Sequence, residues 1–323
     1  MKKVVCVITL VGFLFSACTS LQMVSFDRLQ AADVNYPELV RRVGVVNHAP
    51  VALSLAENDS LSSLEADGQV VAEALAQGIA ASNYFDQVVI GDSALSNSEN
   101  GRASVLSQEE ADELIRSMGV DMLFSIDRIN VLLKKEAYMG YSEDLNWVPM
   151  TDAVISPVLV AHVYGRPPLF SVSKSDTLCW EVNSALTYER IARESAEYAA
   201  GLLADCLLPQ WTEQQRFYFD GGNVEMRDAG VCVREQDWEG AASLWQSAYN
   251  RSKGKKKLRA AYNLALYHEM QDDFVQAEEY LKVAESLSEV GSWEAQLIQL
   301  YRSQLKEQEL KYQKLKIQMK RFE

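Results

Sequence analysis

Residues 264–284 read Leu264-Ala265-Leu266-Tyr267-His268-Glu269-Met270-Gln271-Asp272-Asp273-Phe274-Val275-Gln276-Ala277-Glu278-Glu279-Tyr280-Leu281-Lys282-Val283-Ala284. Small and large side chains recur there three and four apart, so that Leu264, Ala265 and His268 share one helical face and Phe274, Ala277, Leu281 and Ala284 another. The second face has a counterpart 36 residues upstream: Trp238 stands for Phe274, Ala241 for Ala277, Trp245 for Leu281 and Ala248 for Ala284. Four matches at one offset indicate a repeated helix pair. The leading helix of the first copy, 224–235, is less specific but has Ala229 and Cys232 in place. Two repeats are too few to stack alone, because each must bury a face against a neighbour. A helix expected at 187–208 is the upstream cover, and 292–322 the downstream one. In the latter, Ile298, Leu305, Tyr312 and Met319 recur every seven residues, with Tyr301, Gln308, Leu315 and Phe322 three further on. This seam either caps the repeats or zips to a second copy, so the oligomeric state stays open.

The pattern of small residues between helices and aromatics filling the gap resembles the tetratricopeptide repeat, spread here over about 224–286. That resemblance implies that the first helices of the repeats, 224–235 and 258–270, line a concave groove. Arg227, Arg234, Asn263 and Tyr267 are then the outward, partner-binding residues, a mixed polar set suited to an extended peptide or a partner's acidic terminus. Trp238, Trp245, Phe274 and Leu281 are expected in the core.

Upstream, Arg42-Val43-Gly44-Val45-Val46-Asn47 reads as a buried strand, followed by a polar loop. Val71, Ala74, Leu75, Gly78, Ile79 and Ser82 place one face of a helix on a sheet. A second strand follows at 85–90 and a second helix at 108–118, with Ser107 as N-cap and Gly119 as stop. Along the third strand the apolar set moves from Met122, Phe124 and Ile126 to odd numbers from Ile129, which requires a bulge. Segments 154–164 and 170–182 form a hairpin about Gly165-Arg166-Pro167-Pro168. The expected fold class is α+β: a mixed α/β sandwich at 35–186, then an all-α domain at 187–323 with tetratricopeptide-like repeats and a C-terminal capping helix. Val43-Gly44-Val45-Val46, Asn83-Tyr84-Phe85 and Met118-Gly119-Val120-Asp121-Met122 together resemble the small α/β domain of curli-secretion and penicillin-binding-protein-activator lipoproteins and of the Tol-system propeller protein. Fold alone transfers no activity.

Residues 1–17 carry Lys2-Lys3, an apolar run and small residues, as a secretory signal does. Leu14-Phe15-Ser16-Ala17-Cys18 resembles a bacterial lipobox, with Phe15 where Leu is usual. This implies a diacylated Cys18, a lipid-anchored linker at 18–34 and, with Thr19 rather than Asp next, the periplasmic face of the outer membrane. Cys179, Cys206 and Cys232 remain, an odd number that leaves either one disulfide or three free thiols.

The 323 residues, 48% apolar and 24% charged, suffice for a sizeable core. A formal charge of −14 argues against nucleic acid, whose phosphates repel it over a Debye length of about 8–10 Å. No catalytic set, metal site or cofactor is expected. The zinc-protease-like His268-Glu269-Met270-Gln271-Asp272 lacks its second His, and no phosphate-binding loop follows the strand at Val43. Cys179 and His162 lie on neighbouring expected strands without an orienting third group. The reading is therefore a lipid-anchored envelope adaptor, not an enzyme, that binds another protein or peptide. The alternative is a hydrolase of envelope polymers using Asp121, Asp127 and Glu181 as acid and base. Two features stay undecided. Trp147, with Tyr138 and Tyr141, either binds a partner or tucks under the sheet. Arg251, Lys253, Lys255, Lys256, Lys257 and Arg259 either form a solvated turn or meet anionic lipid or glycan.

Overall fold

The computed structural model describes residues 21–49, 56–57, 61–91, 106–134, 136–141 and 145–322, so the signal and Cys18 lie outside the described residues. The fold class is α+β, and the chain forms two compact units, Ala32–Gln210 and Met1–Ala31 with Trp211–Glu323. Strand β1 (Leu21–Gln30) belongs to the latter.

Within 32–210, nine strands form one sheet among the described residues. Buried β2 (Arg42–Asn47) runs parallel to β5 (Gln87–Ile90) on one side and β6 (Met122–Lys134) on the other. Antiparallel pairing continues from β6 to β8 (Trp147–His162) and from β8 to β10 (Asp176–Glu181). β3 (Ala56–Glu57) and β4 (Leu61–Glu65) extend the sheet beside the far half of β6, and β7 (Tyr138–Tyr141) and β9 (Phe170–Ser173) pair with β8. The parity change along β6 is the expected bulge: Ile126 faces Leu159 and Arg128 faces Val158, leaving Asp127 as the extra residue.

Helix α1 (Gly68–Ala81) starts where Asp67 accepts the Gln69 and Val70 N–H groups. Helix α2 (Gln108–Met118) begins in a Ser107/Glu110 capping box and ends at Gly119, whose φ of 66° suits glycine. Helix α3 (Tyr188–Leu207) is capped by Thr187. α1 and α3 pack together over Val43, Val45, Phe124, Ile126 and Ile155, while α2 covers Val46 and Leu123 on the opposite face. The expected placement of α3 against the repeats is therefore corrected. Its stripe Ala196, Ala199, Leu203 and Cys206 is buried with α1, and the mixed-sheet unit reaches Gln210 rather than ending at 186. The start of that unit is tied to α3 by Asp33 N–H donating to the Cys206 carbonyl (2.8 Å) and Tyr36 Oη to that of Leu207 (2.9 Å).

The other unit contains α4 (Val224–Arg234), α5 (Trp238–Arg251), α6 (Gly254–Met270), α7 (Phe274–Ser286) and α8 (Trp293–Met319), each packed on the next. Ala241, Trp245, Ala248, Phe274, Ala277, Leu281 and Ala284 are buried, and Trp238 is half-buried. β1 pairs with β11 (Gln210–Phe219) in a two-stranded ribbon. This corrects the linker assigned to 18–34: from Leu21 the chain is a strand whose Leu21, Val24 and Phe26 pack on the helices. Thr212 Oγ1 lies 3.5 Å from the Arg28 carbonyl, so β11 begins beside the end of β1. With both strands paired along their length, they run in opposite directions and Leu21 meets Phe219. On α8, Ile298, Tyr301 and Leu305 are buried in this core. Gln308, which interrupts the heptads, accepts from Gln30 Nε2 and donates to Gln214 Oε1, both at 3.0 Å.

Candidate functional site

The face expected to hold a partner's peptide is filled by the chain's own ribbon. Asn263 on α6 accepts the Phe219 N–H (2.8 Å) and donates to the Phe219 carbonyl (2.7 Å), as it would to an extended ligand. Two turns on, Glu269 takes a bidentate pair from Arg216 (2.7 and 3.0 Å) and a hydrogen bond from Tyr301 Oη (2.8 Å). Arg28 of β1 donates to the Glu269 carbonyl (3.0 Å) and pairs with Asp272. Burial, then the Glu269 charge, holds the Tyr301 hydroxyl far above its ordinary range, so it remains a donor. The assignment of Asn263 to partner binding is thus overturned: it is fully buried and pins β11. Tyr267 is half-buried against the same core, 5.5 Å from the His268 ring, rather than outward. His268 stacks on Tyr280 at 5.3 Å, and Glu269 is committed to Arg216, so the zinc-protease-like pair does not converge.

Arg227 and Arg234 do face outward, two turns apart on α4 with exposed Val231 between them. Arg234 lines a groove of about 580 Å³ between α4 and the ribbon. Five consecutive β1 residues, Met23 to Asp27, form one wall, and Val233, Gln236 and Trp238 stand opposite. Glu213 and Tyr218 of β11 complete it. The groove mixes apolar and aromatic side chains with charges of both signs, and β1 has no sheet partner other than β11 among the described residues. No signal for the ribbon wall was read from the sequence. The alternation of Val24, Phe26, Arg28 and Gln30 against Met23, Ser25 and Asp27 could have given it.

The fifth expected residue, Trp147, lies in the 32–210 unit and shares no site with the others. It is 58% exposed and packs edge-on against Tyr141 at 4.8 Å, with Tyr138 and Met139 also exposed. The carboxylates of the hydrolase alternative are strung out along the sheet. Asp121 is held by Arg42, whose hydrogen bond lowers its pKa, and Asp127 sits about 20 Å further along β6. Glu181 lies opposite Met150. Cys179 faces Asp152, ten residues and about 33 Å along β8 from His162. Among the described residues Cys179, Cys206 and Cys232 are free thiols, and burial, with Asp33 beside it, pushes that of Cys206 up to about 11.

One constellation was not read from sequence: buried Ser125, Asp127 and His162. Ser125 Oγ donates to Asp127 Oδ1 (2.7 Å) and lies 3.1 Å from His162 Nε2. Its one proton is given to Asp127, so Nε2 must carry a hydrogen and donate. That is the reverse of the base needed to activate a serine, and the hydroxyl is fully buried. Ser125 and Asp127 are two apart on β6, and Ser125 pairs with Val160, two residues before His162 on β8, so strand alternation alone puts the three side chains on one face.

No described helix is long and apolar enough to cross a membrane. No curated protein matches the chain. Among solved structures, a minor lipoprotein from Acinetobacter baumannii is similar at 6% identity and a TM-score of 0.25, over 54% of this chain and 97% of its own. Residues 227–307 match the family described as Domain of unknown function (DUF6340). Residues 40–219, more than half of the chain, match a second family, and the chain belongs to it: Domain of unknown function (DUF8603).

Proposed function

We propose that this chain is a lipid-anchored cell-envelope protein, held at the periplasmic face of the outer membrane through Cys18, that works as a non-enzymatic adaptor. Its helix pairs, read as tetratricopeptide-like repeats, present the groove beside β1 to an extended segment of another envelope protein. The observation that carries this reading is the groove itself. Strand β1 offers an edge, Trp238 an aromatic wall, and Arg234 a cation at the rim. Such a site suits strand addition, in which backbone pairing supplies affinity and flanking side chains supply choice. Arg227 extends the basic rim, and the aromatic tip at Trp147 is the second surface on offer.

The test is capture of envelope proteins by the tagged chain from solubilised membranes, with Arg227→Glu/Arg234→Glu beside Arg251→Glu as a surface control. Loss of a specific partner with the first variant alone, at unchanged melting temperature, is expected. Equal capture by all three forms would remove the groove from the function.

A further inference from the structure

Side-chain contacts join the chain turns at one end of the helical unit. Arg251 Nη1 at the end of α5 lies 3.3 Å from Glu225 at the start of α4. Lys255 Nζ at the start of α6 reaches Glu289 (3.9 Å) after α7 and Glu294 (3.8 Å) in α8. Lys257 Nζ stands 4.4 Å over Tyr249, Arg259 lies 5.2 Å over Phe219, and Phe219 is 5.9 Å from Trp293. This end therefore collects the six cations of 251–259. Lys253 and Lys256 are exposed there with no carboxylate within 4.0 Å among the described residues. Three apolar side chains stand out beside them: Val290 fully exposed, Val224 at 57% and Trp293 at 49%. In a chain of net charge −14 such a grouping is a local reversal of sign.

The ribbon identifies what this end faces. Leu21 meets Phe219, so β1 starts at the same end, and Cys18 is only three residues earlier, a reach of about 11 Å at full extension. We propose that this end rests on the anionic phospholipid headgroups of the leaflet holding the Cys18 anchor. Lys253, Lys255 and Lys256 meet the phosphates, while Trp293 and Val290 enter the interface. The inference rests on the anchor reading for its leaflet, and its chemistry is charge complementarity plus an amphipathic aromatic at headgroup level. The helical unit is then fixed in orientation instead of swinging on a long tether, because only Thr19 and Ser20 lie between Cys18 and Leu21 in the sequence.

The test uses the mature chain without its acyl group, residues 19–323, which contains every described residue. Vesicles are of phosphatidylcholine alone or with three parts in ten phosphatidylglycerol, at low salt. Flotation with the anionic vesicles only is expected. Lys253→Gln/Lys255→Gln/Lys256→Gln should weaken it at least tenfold, since each charge near such a surface is worth about fivefold in partitioning. The melting temperature should not move, and a vesicle-induced tryptophan emission shift should vanish in Trp293→Phe. Equal flotation of parent and triple variant, or indifference to phosphatidylglycerol, would overturn the proposal. So would lysine-dependent binding to lipopolysaccharide without binding to vesicles, which would make the ligand a glycan. Separately, an unacylated Cys18 peptide in the native protein's mass spectrum would sink the anchor reading without altering the vesicle result.

Discussion

Asn263 on α6 and Arg234 on α4 are expected to behave oppositely. Asn263→Ala leaves the buried N–H and carbonyl of Phe219 unpaired, at a cost of about 1–3 kcal/mol for each group. Arg234→Glu is a surface change worth about 0.5 kcal/mol or less. Urea denaturation of the two variants checks this, and equal midpoints would mean that β11 is not pinned at Phe219. His162 gives a pH dependence. Burial lowers its pKa below 6.5, Asp127 opposing and His48 adding to the shift. The stability it contributes as a neutral ring is complete above pH 6.5 and is lost as pH falls through the lowered folded value. Melting temperatures between about pH 7 and pH 5 should accordingly fall less for His162→Gln than for the parent protein. Parallel curves would show that the imidazole is not held neutral.

At the scale of elements, helices with apolar stripes and local caps were legible in the sequence. α2 runs from its Ser107 cap to Gly119 as its spacing requires, and the bulge in β6 follows from a parity change alone. β1 and β11 were missed for a physical reason: their inward positions include Arg28, Gln30, Gln214 and Arg216, so hydrophobic alternation is broken where it is usually sought. Those polar side chains find partners only in the folded unit, in Glu269 and Gln308, which are distant in sequence. The same blindness misassigned Asn263, whose outward position on α6 is covered by a strand not foreseen. Gln308, a flaw in a zipper, is a fitting contact for a cap over the ribbon. Deleting 293–323 should therefore strip cover from β1, β11 and α7 and produce aggregation in size-exclusion chromatography. A well-behaved monomer arising from a native dimer would instead assign α8 to an intermolecular seam.

For the whole molecule, the consequence is a division of labour within the helical unit. One end carries the basic turns and the start of β1, three residues after Cys18 in the sequence. The face of α6 is taken by β11, while the groove beside β1 is unfilled by the chain's own described residues. The candidate residues were only half legible because two, Arg227 and Arg234, depend on a helix face, whereas the groove wall depends on a strand whose inward alternation passes from apolar Val24 and Phe26 to polar Arg28 and Gln30. Photo-crosslinking in intact cells from a photoreactive residue at position 23 or 234 tests this arrangement most directly, with position 147 and buried position 263 as comparisons. A discrete adduct of the same partner from both groove positions, abolished by Arg227→Glu and absent from 263, is the outcome expected. Adducts from 147 alone, or from 263, would contradict a groove beside β1 and a face sealed by the chain's own strand.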